Sequence, residues 1–305
     1  MDFNALLATF ADNLLPILLL GAAGFLVGKI LSIESRGLGR VVFYVFSPVL
    51  VFDLLLHTAV SSNDILSTVG FAISVCLIAG LLALGFGRLL GFERPILMAI
   101  ILTSAFGNTG NYGLPLVSFA YGEASLAIAT IYFVTNSVLF NTAGVIIASL
   151  GHLDLRTAVF GLFKVPAVYG VVLAVLLNHF HLVLPPPVER TVELAANGSI
   201  PLMIVLLGVE LSRVQWSHSV RAVGLSTVLR LLISPLVGLL LAGLFGSQGA
   251  ARQANITESA MPAAVTNAIL ASEYGLDTSL VTAMIFIGTI LSPLTLTPLV
   301  YYLGR

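Results

Sequence analysis

The chain has 305 residues, of which 58% are hydrophobic and only 9% are charged, and its mean hydropathy is +1.07. A soluble domain of this size would aggregate with that composition, so the sequence predicts an all-α integral membrane protein in the lipid bilayer. The formal net charge of -1 and the lack of a basic arm exclude nucleic acid as an expected partner.

Apolar runs of roughly 17–25 residues, the length that crosses a bilayer as a helix, occur ten times. The predicted spans are 13–31, 38–57, 65–88, 95–120, 124–148, 157–179, 189–211, 220–245, 253–274 and 279–303. The first run follows Asp2 and Asp12 rather than a basic region, so we expect a retained span and not a signal peptide.

Two of these spans, the fourth and the ninth, are interrupted by Asn, Gly and Pro residues at 107–115 and 259–267. In lipid every backbone N–H and C=O needs an internal partner, so unwound backbone survives only inside protein or beside a polar cavity. Broken helices in corresponding places of two halves indicate a transporter site near the middle of the bilayer.

The two halves of the chain also resemble each other. The polar gap 151–156 separates a first repeat, 1–150, from a second, 151–305, with five spans each. Tyr121-Gly122 at the end of the fourth span corresponds to Tyr274-Gly275 at the end of the ninth. Because five is odd, the second copy enters the membrane in the opposite sense, which predicts a 5+5 inverted-topology repeat with broken crossover helices 4 and 9.

The basic residues are distributed unevenly between the predicted loops. With both termini extracytoplasmic, the cytoplasmic side carries nine of the 13 basic residues: Lys29, Arg36, Arg40, Arg88, Arg94, Arg156, Lys164, Arg213 and Arg221. The other side carries Arg190, Arg252 and Arg305. The positive-inside rule therefore favours this orientation in a cell membrane, the inner or plasma membrane.

The interruptions supply the candidate substrate site. Amide, hydroxyl and proline residues in a broken helix leave free half-helix ends, where N–H groups suit a carboxylate and carbonyls suit a cation. The predicted site residues are Asn108, Thr109, Asn111, Pro115, Pro262, Thr266 and Asn267.

Arg230 is a charged residue inside the eighth predicted span, roughly 15 Å from its cytoplasmic start at the rise of a helix. A charge at this depth needs compensation. Three interpretations remain open at this point. Arg230 is the counter-charge of an anionic substrate, or it pairs with Glu258 or backbone carbonyls to hold helices together, or it reaches the cytoplasmic surface.

Glu258 and Asp53 are the intramembrane acids that could take up a proton or join a sodium site, so Na⁺ or H⁺ is retained as a coupling ion. Both lie near span ends, and Asp53 is one turn from His57, so paired or solvated roles stay open. Glu210 lies close to Arg213 and is interpreted as its ion-pair partner.

Other chemistry has no motif to support it. The five histidines lack metal-ligand spacing, and the single cysteine, Cys76, cannot form an intramolecular disulfide. No nucleophile and base occur at a recognisable spacing, and no phosphate-binding loop is present. We therefore expect no metal, no cofactor and no enzymatic activity.

Three motifs in these spans resemble the auxin efflux carrier family. They are Asn108-Thr109 with Gly113-Leu114-Pro115 in the fourth span, Ala260-Met261-Pro262 with Ala271-Ser272-Glu273-Tyr274 in the ninth, and the segment from Arg230 to Pro235 in the eighth. The long central loop of the plant exporters is reduced here to the residues around Asp154, and the segment 64–68 lacks their acid–lysine pair. These departures indicate a prokaryotic-type member.

The resemblance implies a fold and a function. The family fold has a scaffold of helices 1, 2, 6 and 7 and a transport domain of helices 3–5 and 8–10, and members form homodimers through the scaffold. A carboxylate-bearing substrate would bind near Asn108 and the ninth-helix crossover, and one domain would move against the other like an elevator.

The resulting prediction is a secondary transporter of small organic anions, that is mono- or dicarboxylates, with auxin-like acids within the class. A sodium- or proton-coupled symporter with the crossover fold of bile acid carriers is the alternative within the transporters. A ligand-gated channel or receptor that uses the same cavity is the alternative from another class.

Overall fold

The computed structural model describes residues 3–149, 163–214 and 219–304, and the regular elements in these ranges are helices. They are α1 Phe3–Ile30, α2 Ser35–His57, α3 Ser62–Leu89, α4 Arg94–Ala105, α5 Leu114–Tyr121, α6 Glu123–Ala148, α7 Pro166–His179, α8 Pro186–Leu211, α9 Val220–Leu244, α10 Gly249–Ser259, α11 Thr266–Glu273 and α12 Thr278–Leu303. The all-α prediction is confirmed for this part of the chain.

Seven of these helices are long and apolar enough to cross a membrane: α1, α2, α3, α6, α8, α9 and α12. Two shorter apolar helices, α4 and α7, accompany them. The predicted start of the sixth span at residue 157 lies outside the described residues, and so do the polar gap 151–156 and the residues Arg156 and Arg305. Helix length and composition together make this a multi-pass membrane protein.

The predicted ends of the spans agree with the observed helices to within a few residues. The spans expected at 65–88 and 220–245 are Ser62–Leu89 and Val220–Leu244. The first helix is longer than expected, because it begins at Phe3. Uninterrupted apolar runs must stay helical to pair their backbone groups in lipid, which is why their lengths could be read closely from the sequence.

Side-chain caps define where two of the spans begin. The Oγ atom of Ser61 accepts the N–H of Asp64 at 3.0 Å before α3, and the carboxylate of Asp277 accepts the N–H of Leu280 at 3.0 Å before α12. The first N–H groups of a helix have no partner within the helix, and such caps supply one. The starts of α3 and α12 are therefore encoded locally.

Two helix pairs pack so closely that their backbones touch. A Cβ atom on Gly24 of α1 would lie 2.3 Å from the carbonyl oxygen of Val205 in α8, and one on Gly208 of α8 would lie 1.9 Å from that of Gly21. Similarly, α7 packs on α2. Small residues allow such contact between helices in membranes, so α1 with α8 and α2 with α7 form tight pairs.

The other helices form a second group in which α3 packs on α4 and α6, and α10 packs on α6 and α9. Buried apolar side chains at its centre surround the break between α4 and α5, among them Leu102, Phe106 and Met284. The helical turn after this break, Thr109–Gly113, also contacts α8 of the first group. The interruption of the fourth span therefore lies where the two groups of helices meet.

Candidate functional site

The fourth and ninth predicted spans are each split into two helices. α4 ends at Ala105, and the chain becomes helical again at Thr109 with a π-helical turn that leads into α5. α10 ends at Ser259, and α11 begins at Thr266. We call the non-helical segments 106–108 and 260–265 the first and second crossover. The second crossover lies within the interruption expected at 259–267. The first begins one residue before the interruption expected at 107–115 and is shorter than expected, because the chain is helical again from Thr109.

The two crossovers satisfy each other's backbone groups. The N–H of Asn108 donates to the carbonyl of Pro262 at 2.7 Å, and the N–H of Ala264 donates to the carbonyl of Phe106 at 3.0 Å. The two bonds form a short antiparallel bridge between the unwound segments. Unpaired backbone groups at membrane depth cost several kcal/mol each in hydrocarbon, at order of magnitude, so this bridge makes the breaks tolerable.

Arg230 joins the ends of the two half-helices. It lies in a π-helical turn of α9 and is only 2% exposed. Its Nε donates to the carbonyl of Met261 at 2.5 Å and its Nη1 to that of Ser104 at 3.2 Å. The carbonyl of Ser104 lies in the last turn of α4, a helix end that carries partial negative charge. The carbonyl of Met261 lies in the second crossover, two residues after α10 ends. Of the interpretations open from the sequence, the structure shows contact with backbone carbonyls.

Gly107 leaves the space that Arg230 occupies. Gly107 faces Ala263 across the bridge, and a Cβ atom on Gly107 would lie 1.7 Å from Nη2 of Arg230. No side chain atom fits at that distance. The guanidinium group therefore lies directly against the backbone of the first crossover.

Two amide side chains hold the bridge from either side. Nδ2 of Asn267 donates to the carbonyl of Phe106 at 3.1 Å. Nδ2 of Asn136, on α6, donates to the carbonyl of Gly107 at 3.3 Å and to Oγ1 of Thr109 at 3.2 Å. Asn136 was not among the predicted site residues. An amide in the middle of an apolar span is the signal that could have identified it.

Several polar atoms at the crossovers remain without a hydrogen-bond partner among the described residues. They include Nδ2 of Asn108, Oδ1 of Asn267 and Oγ of Ser104. Asn108 is 5% exposed and the other two are fully buried. Leaving such a group unpaired costs about 1–3 kcal/mol. Donors and acceptors are therefore available here for a polar ligand.

Asn111 faces the other group of helices. Its side chain is partly exposed, and its Nδ2 donates to Oε2 of Glu210 on α8 at 3.4 Å. The ion pair predicted between Glu210 and Arg213 is wrong, because Nη2 of Arg213 donates instead to the carbonyls of Ser32 and Ile33. The direction of a side chain across a helix interface cannot be read from sequence spacing alone.

Two of the predicted site residues are prolines. Pro262 is buried in the second crossover, and its carbonyl accepts the N–H of Asn108. Pro115 is buried at the second position of α5, so it lies in a helix and not in the unwound segment. The chain is already helical before Pro115, since the N–H of Leu114 donates to the carbonyl of Thr109 in the π-helical turn. Pro115 has no N–H to donate, and it directly follows this irregular turn of the helix. Thr266 begins α11, and its side chain is exposed.

The two candidate acids lie in different places. Glu258 is in the last turn of α10 and is fully buried, next to Gly113 at the end of the π-helical turn. Asp53 is near the end of α2, where its Oδ1 lies 3.1 Å from Nδ1 of His57, and a carboxylate oxygen of Glu189 lies 3.9 Å from the other ring nitrogen. The structure brings Glu258 to the crossovers and does not bring Asp53 there.

Comparison with known proteins finds a matching protein family and similar transporters. The profile of a family described as membrane transport protein matches residues 9–155 and 151–301. An uncharacterised transporter of Methanothermobacter thermautotrophicus is 28% identical over 295 residues, which cover 93% of this chain and 95% of the relative. A putative malonate transporter of Rhizobium meliloti is 25% identical over 318 residues, which cover 97% of this chain and 96% of the relative.

Proposed function

We propose, from the premise that the chain belongs to the membrane transport protein family, that it is a secondary carrier of small organic anions with one or two carboxylates. The observation that carries this proposal is the pairing of two unwound segments from distant parts of the chain around buried, unpartnered amide groups. Non-helical backbone at membrane depth is found where substrate or ions are handled.

The proposed architecture has ten spans in two inverted repeats, residues 1–150 and 151–305. The three spans beyond the seven long helices are α4 with α5, α7, and α10 with α11. The bridge supports this arrangement, since the carbonyls of Phe106 and Pro262 play matching roles in opposite crossovers. The positive-inside rule supports extracytoplasmic termini.

The proposed mechanism is elevator-like movement of two bodies against each other. The scaffold consists of the tight pairs α1 with α8 and α2 with α7, and the transport domain contains α3–α6 and α9–α12. Backbone contact at Gly24 and Gly208 supports a rigid scaffold. The contact between Asn111 and Glu210 then crosses the boundary at which the bodies slide. The homodimer through the scaffold stays a prediction.

The chemistry of the crossovers suits an anion. The turn that starts at Thr109 and the helix that starts at Thr266 direct the positive ends of their dipoles to the crossovers. Nδ2 of Asn108 is a donor without a partner in the described part of the chain, and Arg230 places a positive charge against Gly107. Carboxylate oxygens only accept hydrogen bonds, so such donors fit them. The name of the Rhizobium relative suggests malonate as the first substrate to test.

The predicted site residues take different roles in this proposal. Asn108 and Asn111 offer donors to the substrate, while Thr109 and Asn267 position the crossovers through their bonds to Asn136 and Phe106. Arg230 holds the half-helix ends and supplies positive charge. Pro262, Pro115 and Thr266 shape the ends of the helices that face the site.

The experiment is counterflow of labelled malonate in proteoliposomes. Vesicles loaded with unlabelled malonate should take up external labelled malonate faster than empty vesicles. Internal malonate binds the carrier and speeds its return to the outward-facing state, where it binds the label. Asn108→Ala should lose at least roughly tenfold in uptake, the order expected when an anion loses one hydrogen bond of 1.4 kcal/mol or more. The control is Asn141→Ala, whose Nδ2 donates within its own helix to Ser137.

Two results would contradict the proposal. Uptake without stimulation by internal malonate, at a rate that does not saturate, would indicate the alternative of a ligand-gated channel. Equal loss in Asn108→Ala and Asn141→Ala would remove Asn108 from the substrate site. If malonate is not carried, the same assay with acetate, malate and an aromatic acid tests the rest of the carboxylate class.

A further inference from the structure

Glu258 is a fully buried acid whose carboxylate has no partner. Neither Oε1 nor Oε2 has a hydrogen-bond partner among the described residues, and the residue is 0% exposed. A Cβ atom on Gly113 would lie 2.2 Å from Oε2 and 2.7 Å from Oε1. The carboxylate therefore lies against the backbone of the π-helical turn that leads out of the first crossover.

Asn255 presents a second unpartnered group on the same side of α10. It precedes Glu258 by three residues, and side chains at that spacing share a face of a helix. Asn255 is 0% exposed, and neither its Oδ1 nor its Nδ2 has a partner in the described part of the chain. Buried polar side chains in native proteins are nearly always bonded, so two neighbours without partners indicate a ligand site.

The charge of Glu258 is not neutralised by a direct contact. Arg230 is close enough to interact with it electrostatically, but its Nε and Nη1 are directed to the carbonyls of Met261 and Ser104. Removing a carboxylate from water costs several kcal/mol, at order of magnitude, unless a counter-charge or a proton compensates it. The site therefore requires a positively charged occupant.

A metal cation fits this site better than a proton. A proton would turn one oxygen of Glu258 into a donor, but the other oxygen and Oδ1 of Asn255 would still lack partners. A hard cation accepts several oxygen ligands at once, from carboxylate, amide and backbone. One carboxylate balances one positive charge, and the described residues contain no group of three His, Cys, Asp or Glu side chains that would favour a divalent metal.

We propose that Glu258, Asn255 and the backbone around Gly113 form a binding site for Na⁺. The site communicates with the substrate site through one short path, because the N–H of Gly113 donates to the carbonyl of Asn108 at 2.9 Å. A cation held at Gly113 fixes the turn that presents the free amide of Asn108. Together with the proposed carrier function, on which this inference rests, the Na⁺ site makes the protein a symporter of Na⁺ with a carboxylate.

The test is thermal unfolding of the purified protein in NaCl or choline chloride at constant ionic strength, without any carboxylate. Wild type should unfold at a higher temperature in Na⁺, with saturation as the concentration rises. Glu258→Gln and Asn255→Ala should weaken the apparent Na⁺ affinity by at least roughly tenfold, the loss expected even for outer partners of a metal site. The control is Glu273→Gln, an exposed acid on α11, which should respond as wild type does.

Other outcomes overturn the proposal. Equal unfolding temperatures of wild type in Na⁺ and choline would exclude the site, and this result needs no variant to fold. A shift that follows pH and is the same in Na⁺ and choline would assign the acid to proton uptake. Na⁺ binding that survives in both variants would place the ion elsewhere. Malonate counterflow with equal NaCl on both sides of the vesicle membrane tests the carrier function separately, because uptake there needs a carrier but shows no dependence on a Na⁺ gradient. Counterflow in NaCl without a thermal shift by Na⁺ rejects the cation site alone, and a Na⁺ shift without counterflow rejects the carrier function alone.

Discussion

The first and second crossovers have the same backbone bonds and different side chains. Asn108 and Ala264 each donate an N–H across the bridge, and an asparagine follows each of them three residues later, at 111 and 267. At the centre of the bridge, however, the first crossover has Gly107 and the second has Ala263. Shared geometry therefore comes from the backbone, and the side chains make the two sides chemically unequal.

Arg230 accounts for the difference between Gly107 and Ala263 at the centre of the bridge. Its guanidinium occupies the space where a Cβ atom of Gly107 would be, and its Nε donates to the carbonyl of Met261 in the second crossover. Ala263 keeps its methyl group and is 2% exposed. The comparison teaches that two crossovers with matching backbone bonds have unequal surroundings, because the guanidinium takes the Cβ position of Gly107 and leaves that of Ala263 in place.

The largest expected effect is that of Gly107→Ala. The added methyl group would lie 1.7 Å from Nη2 of Arg230, and the hydrogen bonds that hold the guanidinium prevent it from moving aside. We expect a loss of about 3 kcal/mol or more, at the upper end for overpacked interiors. Thermal unfolding in detergent measures it.

Two control variants sharpen this result. Gly243→Ala meets no atom within 4 Å and should be neutral or stabilising in α9. Ala263→Gly, on the opposite side of the bridge, should cost only about 1 kcal/mol through chain entropy. Similar losses from Gly107→Ala and Ala263→Gly would show that Arg230 does not distinguish the two crossovers.

An intermediate effect is expected at the paired asparagines. Asn267→Ala removes a buried bond to the carbonyl of Phe106 and leaves a cavity, which should cost about 2 kcal/mol. Asn111→Ala removes a longer, partly exposed bond to Glu210, so its effect on stability should stay within about 0.5 kcal/mol. Chemical or thermal unfolding of the two variants side by side measures both, and equal losses would contradict the assignment of different roles.

Much of this molecule could be predicted from the sequence because lipid imposes simple rules. Apolar runs predicted where the long helices lie and where most of them end, as the agreement at Ser62–Leu89 illustrates. Asn, Gly and Pro residues located both breaks in the helices, although Pro115 proved to lie within α5. These features depend on local composition, which a sequence displays directly.

Contacts between distant residues could not be predicted in this way. That Arg230 binds the carbonyls of Ser104 and Met261 depends on where two half-helices end in space. Every residue has a backbone carbonyl, so the sequence does not show which carbonyls a side chain will bind. From the sequence, backbone carbonyls could therefore be named only in general, as one alternative for the partner of Arg230. The bond from Asn111 to Glu210 likewise depends on how two groups of helices pack.

The turns after the crossovers extend the comparison. Gly122 and Gly275 follow the tyrosines that suggested a repeat, and both have positive φ, 77° and 70°. Glycine adopts this conformation without the strain of a Cβ atom, so a glycine follows the end of each broken span. The next helices start differently: α6 has no side-chain cap, whereas α12 is capped by Asp277.

The smallest expected effect therefore belongs to Asp277. The hydroxyl of Ser279 and the N–H of Leu280 donate to its carboxylate and lower its pKa. Its stabilisation is thus present above the unfolded pKa of about 3.9 and is lost as pH falls through the lower pKa of the folded protein.

At neutral pH, Asp277→Ala should cost about 1 kcal/mol as a lost cap. The difference in unfolding temperature from wild type should shrink as the buffer is taken from about pH 7 to about pH 3. Asp277→Asn keeps a capping oxygen, so its unfolding temperature at neutral pH should differ little from that of wild type. A gap between wild type and Asp277→Ala that widens on acidification would reverse the sign and show that the carboxylate is not stabilised in its charged form.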